Sequence, residues 1–378
     1  MTSHSAQPDR AVKSDLRITP GDRTVVSGAA GFIGSAVVRA LLDRGAHVVA
    51  LVEPQGDERN LDRLDVERIS LDVRDADAVI AACAGARFIF HLAALYRFWA
   101  RRPKDFYDVN VGGVLNVLEA ARRGACERVI YTSTVGVLGL DGAARGQAAD
   151  ETNYADVAHL FGLYKRTKYV AEHEVLRAAA QGVPVSLVLP TFPLGPGDRR
   201  PTPTGKLVLD FLNGRIPAFV DTTLNVVHVD DLATGHLLAL ECGRIGRSYI
   251  VGGENLKMGE FLGVLADCTN LPAPTLQVPR TVALSVGVLS QLVEGRILGR
   301  EPSVALEAAT HVDHQHDVQR SEGSRRAQLL PSSGIRRYFG LGSLVCGQWV
   351  CQSEEVGSHQ TSGRQLRLPR PEEELVGS

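Results

Sequence analysis

Tyr164 and Lys168 are the residues whose types and spacing most directly suggest chemistry, in the run Tyr164-Lys165-Arg166-Thr167-Lys168. On a helix, a spacing of four places both side chains on one face, with Cβ atoms about 5–6 Å apart. A lysine ammonium beside a phenol lowers the phenol's pKa from its reference of about 10. The tyrosine can then exchange a proton with a substrate hydroxyl or carbonyl near neutral pH. The spacing by itself also occurs on ordinary amphipathic surface helices, so a partner has to accompany it. An apolar run, Arg128–Thr134, ends in Tyr131-Thr132-Ser133-Thr134. As a strand of a parallel sheet, this run puts the Ser133 and Thr134 hydroxyls at the carboxyl edge, where such sheets bind ligands. A hydroxyl there can hold a reacting oxygen and stabilise its developing charge. The chemistry implied is oxidation or reduction at an oxygen-bearing carbon.

That chemistry needs a hydride carrier, and the chain offers a place for one. Val25-Val26-Ser27-Gly28-Ala29-Ala30-Gly31-Phe32-Ile33-Gly34 runs from a strand through GxxGxxG into a helix. Gly28, Gly31 and Gly34 allow a tight turn, close approach of backbone to a pyrophosphate, and close helix–strand packing. Free N–H groups at the helix start, around Phe32 and Ile33, then meet the anionic phosphates. Glu53 follows the second apolar run, 19 residues after Gly34. A carboxylate there accepts hydrogen bonds from the adenine ribose and repels a 2′-phosphate, which favours NAD. Arg59 lies close by and offers the opposite preference, for NADP.

The elements that must position these residues alternate along the chain. Apolar runs at 24–27, 47–52, 68–72, 87–94, 128–134 and 185–190 are separated by helical stretches such as 32–44, 106–123 and 164–181. Runs buried on both faces and joined by helices imply βαβ units, hence an α/β fold with a Rossmann-type, doubly wound parallel sheet. The expected organisation is a disordered leader at 1–21, a dinucleotide-binding domain at 22–190, a smaller substrate-binding region at 191–310, and a disordered tail at 311–378. The tail is poor in apolar residues, rich in Gln, Ser, Arg and Gly, and has no sustained period of 2 or 3.6.

The 378 residues are 44% hydrophobic and 22% charged, with 41 basic and 43 acidic side chains. A net charge of −2 leaves no basic surplus for phosphate backbones, so no nucleic-acid partner is expected. Six scattered cysteines without a CxxC pair suggest a reducing, cytoplasmic compartment rather than disulfides or zinc. The nearly apolar run 282–293 is too short to span a bilayer, which takes about 20 residues, so no integral membrane segment is expected. His311, Asp313, His314, His316 and Asp317 have no evident scaffold, and no metal is assigned to them.

Taken as a set, these motifs resemble the extended short-chain dehydrogenases/reductases of the NAD-dependent epimerase/dehydratase superfamily. The resemblance covers roughly residues 22–310. It implies adenine contacts from Asp72 and Val73, cofactor contacts from Leu92, Ala93 and Ala94 after His91, and further ones from Asn110 and Pro190. It implies that Thr134 is the catalytic hydroxyl with Ser133 lining the site, and that Lys168 also holds the nicotinamide ribose. A homodimer is a further implication. The segments 93–100, 201–206 and 225–231 resemble hopanoid-associated sugar epimerases, which are also similar to dihydroflavonol 4-reductases. On that likeness the expected activity is NAD(P)-dependent epimerisation or dehydration of a (nucleotide-)sugar, linked to hopanoid side-chain synthesis. The alternative is NADPH-dependent carbonyl reduction. Tyr96, Arg97 and Trp99 directly follow the fourth strand and are the candidate substrate contacts. His228 and Asp231 begin a helix, where Asp231 is expected to act as a cap.

Overall fold

Valine-rich runs pair into one parallel sheet at the centre of the molecule. The computed structural model describes residues 16–97, 99–100, 102–139, 150–160 and 162–290. Its strands are β1 (Arg23–Ser27), β2 (His47–Val52), β3 (Glu67–Ser70), β4 (Phe88–His91), β5 (Arg128–Thr132), β6 (Val185–Pro190), β7 (Phe192–Leu194), β8 (Thr223–His228), β9 (Ser248–Val251) and β10 (Glu254–Lys257). The helices are α1 (Phe32–Leu42), α2 (Ala76–Cys83), α3 (Lys104–Tyr107), α4 (Gly113–Gly124), α5 (Leu163–Ala180), α6 (Pro203–Leu212), α7 (Val229–Cys242), α8 (Met258–Thr269) and α9 (Arg280–Ser290).

Seven strands pair in the order β3-β2-β1-β4-β5-β6-β9. Successive strand residues point to opposite faces, so each apolar run feeds two cores. Val25, Val49, Ile89, Val129 and Leu187 pack with residues of α2, α4 and α5. Val26, Val48, Phe90, Ile130 and Val188 pack with α1 and α7 on the other side. The order reverses at β1, with β2 on one side and β4 on the other. A crevice at the carboxyl ends of these strands is where doubly wound sheets bind ligands.

Several boundaries differ from the sequence expectation. Leu16 and Ile18, assigned to the disordered leader, are buried in the core beside α1. Their apolar side chains are isolated in a polar segment, which hid them from any periodicity. Residues 1–15 lie outside the described set, as do the expected tail at 311–378 and the part of the apolar run 282–293 beyond Ser290. The apolar run 87–94 pairs only through His91, so residues 92–94 form a loop. The run 128–134 likewise stops at Thr132, leaving Ser133 and Thr134 past the strand end. The expected helix over 106–123 starts at Lys104 and carries a π-helical turn, Asp108–Gly112.

After Pro190 the chain contributes to both layers, so residue 190 is not a clean boundary. β7, β8 and β10 form a second sheet in the order β10-β8-β7. It shares a small core of Leu194, Val208, Phe211, Val226 and Phe261 with α6 and α8. In contrast, α7 packs in the core with α1, and β9 adds to the main sheet beside β6. The α7 cap is His228, whose side chain accepts the Asp230 N–H at 3.2 Å, rather than the expected Asp231. None of the described helices is long and apolar enough to cross a membrane.

Candidate active site

The glycine turn is sterically determined. Gly28 has φ of +69°, and a Cβ there would lie 2.7 Å from the Ala93 nitrogen. A Cβ on Gly34 would lie 2.0 Å from the Gly28 carbonyl oxygen, so α1 can sit this close to the turn only without a side chain. At Gly31 the same atom would meet only the Gly28 oxygen, at 3.1 Å. Gly31 is the N-cap of α1, and no side chain caps it. The first-turn N–H groups, those of Phe32 and Ile33 included, therefore keep their capacity for an anion. A backbone cradle that excludes Cβ atoms and ends in an uncapped helix fits the pyrophosphate of a dinucleotide.

Residues 92–94 are clamped to this turn. His91 Nδ1 and Ser27 Oγ lie 2.7 Å apart, and the Ala93 N–H donates to Ser27 Oγ at 3.3 Å. Burial, with the charge of Lys168 adding to it, pushes the His91 imidazole down to about 3, so it is neutral. On the other side of the turn, Asn60 donates to the Ala30 carbonyl at 3.0 Å and the Gly197 carbonyl at 2.8 Å. Sequence reasoning missed Asn60, because its partners lie 30 and 137 residues away. The loop so held brings Arg200 to Glu53, 3.5 Å between charged atoms, with the Glu53 side chain 77% exposed. Arg59, the alternative phosphate reader, is committed to Asp57 at 2.7–3.2 Å and holds that carboxyl down to about 2. Asp72 follows β3 and binds the Arg74 guanidinium, which holds its carboxyl below the usual range. Val73 presents its carbonyl to the Asn116 amide at 2.9 Å. Pro190 ends β6, buried, at the carboxyl edge.

Tyr164 and Lys168 lie on the buried face of α5. The Lys168 ammonium donates to the Thr132 carbonyl at 2.6 Å and sits 4.6 Å from the centre of the Tyr131 ring. Burial pushes it down to about 7, against the opposing pull of Glu172. Past β5, Thr134 caps a short 3-10 turn, accepting the Gly136 N–H at 3.1 Å. Its hydroxyl hydrogen is left to donate, and the side chain is half-exposed. Ser133, expected to line the site, directly follows β5. It is buried, and its hydroxyl donates to Glu172.

Asn110, the expected cofactor contact, is fully buried. Its amide oxygen accepts the Leu95 N–H at 2.7 Å, and its nitrogen donates to Thr167 Oγ1 at 3.0 Å. The side chain thus braces the loop after β4 against α5. The π turn at 108–112 places it there, consistent with the frequent use of such bulges at functional sites. Through this brace the Tyr96 ring lies 4.7 Å from the Tyr164 ring, centre to centre. Tyr96 therefore lies against Tyr164, whereas Arg97 is exposed and Trp99 half-buried nearby in the chain. Among the described residues no group of histidine, cysteine and carboxylate side chains could hold a metal. The acidic histidine cluster at 311–317 lies outside them.

A doubly wound sheet with a glycine cradle at β1 and a buried Tyr–Lys pair on α5 defines an extended short-chain dehydrogenase/reductase. The sequence matches the NAD dependent epimerase/dehydratase family over residues 24–252, and the chain belongs to that family. It is 40% identical over 324 residues to a Synechocystis sp. protein named "Putative dihydroflavonol 4-reductase", covering 85% of this chain and 93% of that one. It is 34% identical to sterol demethylase protein B of Methylococcus capsulatus, over 84% of this chain and 93% of the relative. The crystal structure of gox2253 superposes with a TM-score of 0.72 at 36% identity, covering 85% of this chain and 99% of that one.

Proposed function

We propose that this chain interconverts a ketone and a secondary alcohol on a largely apolar substrate, with NAD(P) as its dinucleotide. The carrying observation is the Tyr96 ring packed against the ring of Tyr164, 4.7 Å between centres and tilted by 43°. An aromatic wall against the reacting phenol suits an apolar carbon skeleton better than a polyhydroxylated one. The names of the two relatives, "Putative dihydroflavonol 4-reductase" and "Sterol demethylase protein B", agree with that choice.

The cradle of Gly28, Gly31 and Gly34 with the N–H groups of Phe32 and Ile33 would hold the pyrophosphate. Glu53 would face the adenine ribose, Asp72 and Val73 the adenine, and residues 92–94 and Pro190 the nicotinamide half. When bound, the dinucleotide supplies or takes up the hydride. Thr134 donates its hydroxyl hydrogen to the substrate oxygen, fixing it and stabilising charge there. Tyr164 gives a proton to that oxygen in reduction and takes it in oxidation. Lys168, held by the Thr132 carbonyl, presents a positive charge that favours the phenolate.

Epimerisation of a (nucleotide-)sugar is the second reading, and Glu53 is the observation in its favour. Its exposed carboxylate suits NAD, the form an epimerase retains through a cycle with no net turnover. The likeness to hopanoid-associated enzymes attaches a role in hopanoid side-chain synthesis to this reading. The test is absorbance at the nicotinamide band with NADH and NADPH, against apolar cyclic ketones and against nucleotide sugars. Stoichiometric consumption with a ketone supports the first reading. An altered sugar stereocentre with no net consumption replaces it with the second.

A further inference from the structure

Glu172 lies one helical turn beyond Lys168 on α5, continuing the Tyr164–Lys168 ladder by another step of four. It is fully buried at 0% exposure, which is costly for a carboxylate without compensation. The compensation comes from three different parts of the chain. Ser133, just past β5, donates its hydroxyl to Oε2. Tyr154 donates to Oε1 at 2.7 Å, and Ser248 at the start of β9 donates to the same oxygen at 3.3 Å. Three hydroxyls set around both oxygens can each donate to the carboxylate, which when ionised only accepts.

The Lys168 surroundings would otherwise drive its proton away. The ammonium is buried beside Tyr131 and the Thr132 carbonyl on β5. His91 on β4 is neutral, and Tyr164 lies one turn before Lys168 on the same helix. Facing Glu172 are Ser133, Ser248 and Tyr154, with Glu151 acting on Tyr154 from the same segment. Within this set Glu172 is the carboxylate that acts on Lys168. Burial raises the carboxyl pKa of Glu172 above its ordinary value, and its three hydroxyl partners and Lys168 oppose that rise in part.

We propose that Glu172 is a positioning residue for the reaction, the buried counter-charge that favours the protonated form of Lys168 and, through Ser133, fixes the strand end carrying Thr134. Ser133, Tyr154 and Ser248 form the hydroxyl cradle that favours the ionised form of Glu172. The inference rests on Tyr164 and Lys168 being the proton-transfer pair. It goes beyond that pair by naming the group that sets the state of the lysine.

The test needs neither substrate nor dinucleotide, so it stands or falls separately from the proposed reaction. The full chain contains six lysines, and [13Cε]lysine labelling gives each one an NMR signal. The Lys168 signal is the one lost in Lys168→Arg. Its titration midpoint should fall by about one pH unit or more in Glu172→Gln, the size of effect expected from removing a nearby opposite charge. Tyr154→Phe, which removes one hydroxyl from the cradle and leaves the carboxyl in place, should move the midpoint in the same direction by less. If Glu172→Gln fails to fold, Tyr154→Phe decides alone. A folded Tyr154→Phe protein with an unmoved Lys168 midpoint, or a folded Glu172→Gln protein with one, overturns the proposal. Either result would make Glu172 a purely structural tie between α5 and the sheet.

Discussion

At the outer edge of the sheet, beyond β2 and β3, the carboxylates stand in water. Glu53 is 77% exposed and meets Arg200 at 3.5 Å, and Asp72 is paired with Arg74 at the surface. Past β4 and β5 the ionisable groups are sealed in. Glu172, Lys168 and His91 are all buried, and their protonation is set by burial and by one another. The same sheet thus offers a solvated end suited to recognition and a dry end suited to proton transfer. Exposed ion pairs contribute about 0–1 kcal/mol each, whereas disturbing a buried charge costs several. Substitutions at the dry end should therefore act on rate and stability together, and those at the wet end on cofactor choice alone.

The largest effect expected is at the cradle joining the two ends. Gly34→Val puts a side chain 2.0 Å from the Gly28 oxygen, and soluble, folded protein should be lost or its melting temperature sharply lowered. Gly31→Val has only the one contact at 3.1 Å and should keep the fold while losing dinucleotide affinity, as circular dichroism and calorimetry would show. Equal behaviour of the two variants would break the distinction between packing and binding roles in the turn.

At the dry end, Tyr164→Phe should reduce turnover of an accepted ketone by about 10²–10⁴-fold with dinucleotide affinity near normal. Stopped-flow reduction and calorimetry on the same sample measure both. At the wet end, Glu53→Gln should move preference towards NADP by about tenfold with no change in melting temperature, the signature of a removed charge repulsion worth about 1.4 kcal/mol. A loss of stability there would contradict the solvated reading.

The smallest effect separates the ends by pH. His91 and His236 are buried neutral, pushed down by burial to about 3 and about 4. An unfolded histidine takes up its proton near 6.5, so their contribution is complete above that value and lost as pH falls towards the folded values. Asp198, raised by burial to about 6, and Glu172, also raised by burial, work in the opposite direction and offset part of that loss. The histidine share is isolated in His236→Gln, whose stability should fall less steeply between pH 6 and 5, by about 1 kcal/mol per unit, in denaturant unfolding. An unchanged slope would mean that the imidazole is not sealed.

The legibility of the sequence follows the same division. Backbone-driven features were readable: the cradle announces itself through glycines at fixed spacing, and β1, β2, β4, β5 and β6 through apolar runs. Strand ends were less so, since Leu92-Ala93-Ala94 remain apolar after pairing with β1 has stopped at His91. Tyr164 and Lys168 were visible because one helical turn links them. The features that escaped depend on distant partners. Glu172 looks like one more charge on a polar helix until Ser133, Tyr154 and Ser248 converge on it. Nothing near Asn110 in the sequence shows that its amide meets Leu95 and Thr167. Leu16 and Ile18 carried no signal, as two isolated apolar residues before β1.

The most direct test of the account is calorimetric titration of NAD, NADH, NADP and NADPH into the full chain. The account predicts one site per chain, tighter binding of the NAD forms through Glu53, and retention of that site in Tyr164→Phe. Failure of all four dinucleotides to bind a folded protein would contradict it, because the cradle, the Tyr–Lys pair and the proposed reaction all depend on that one ligand.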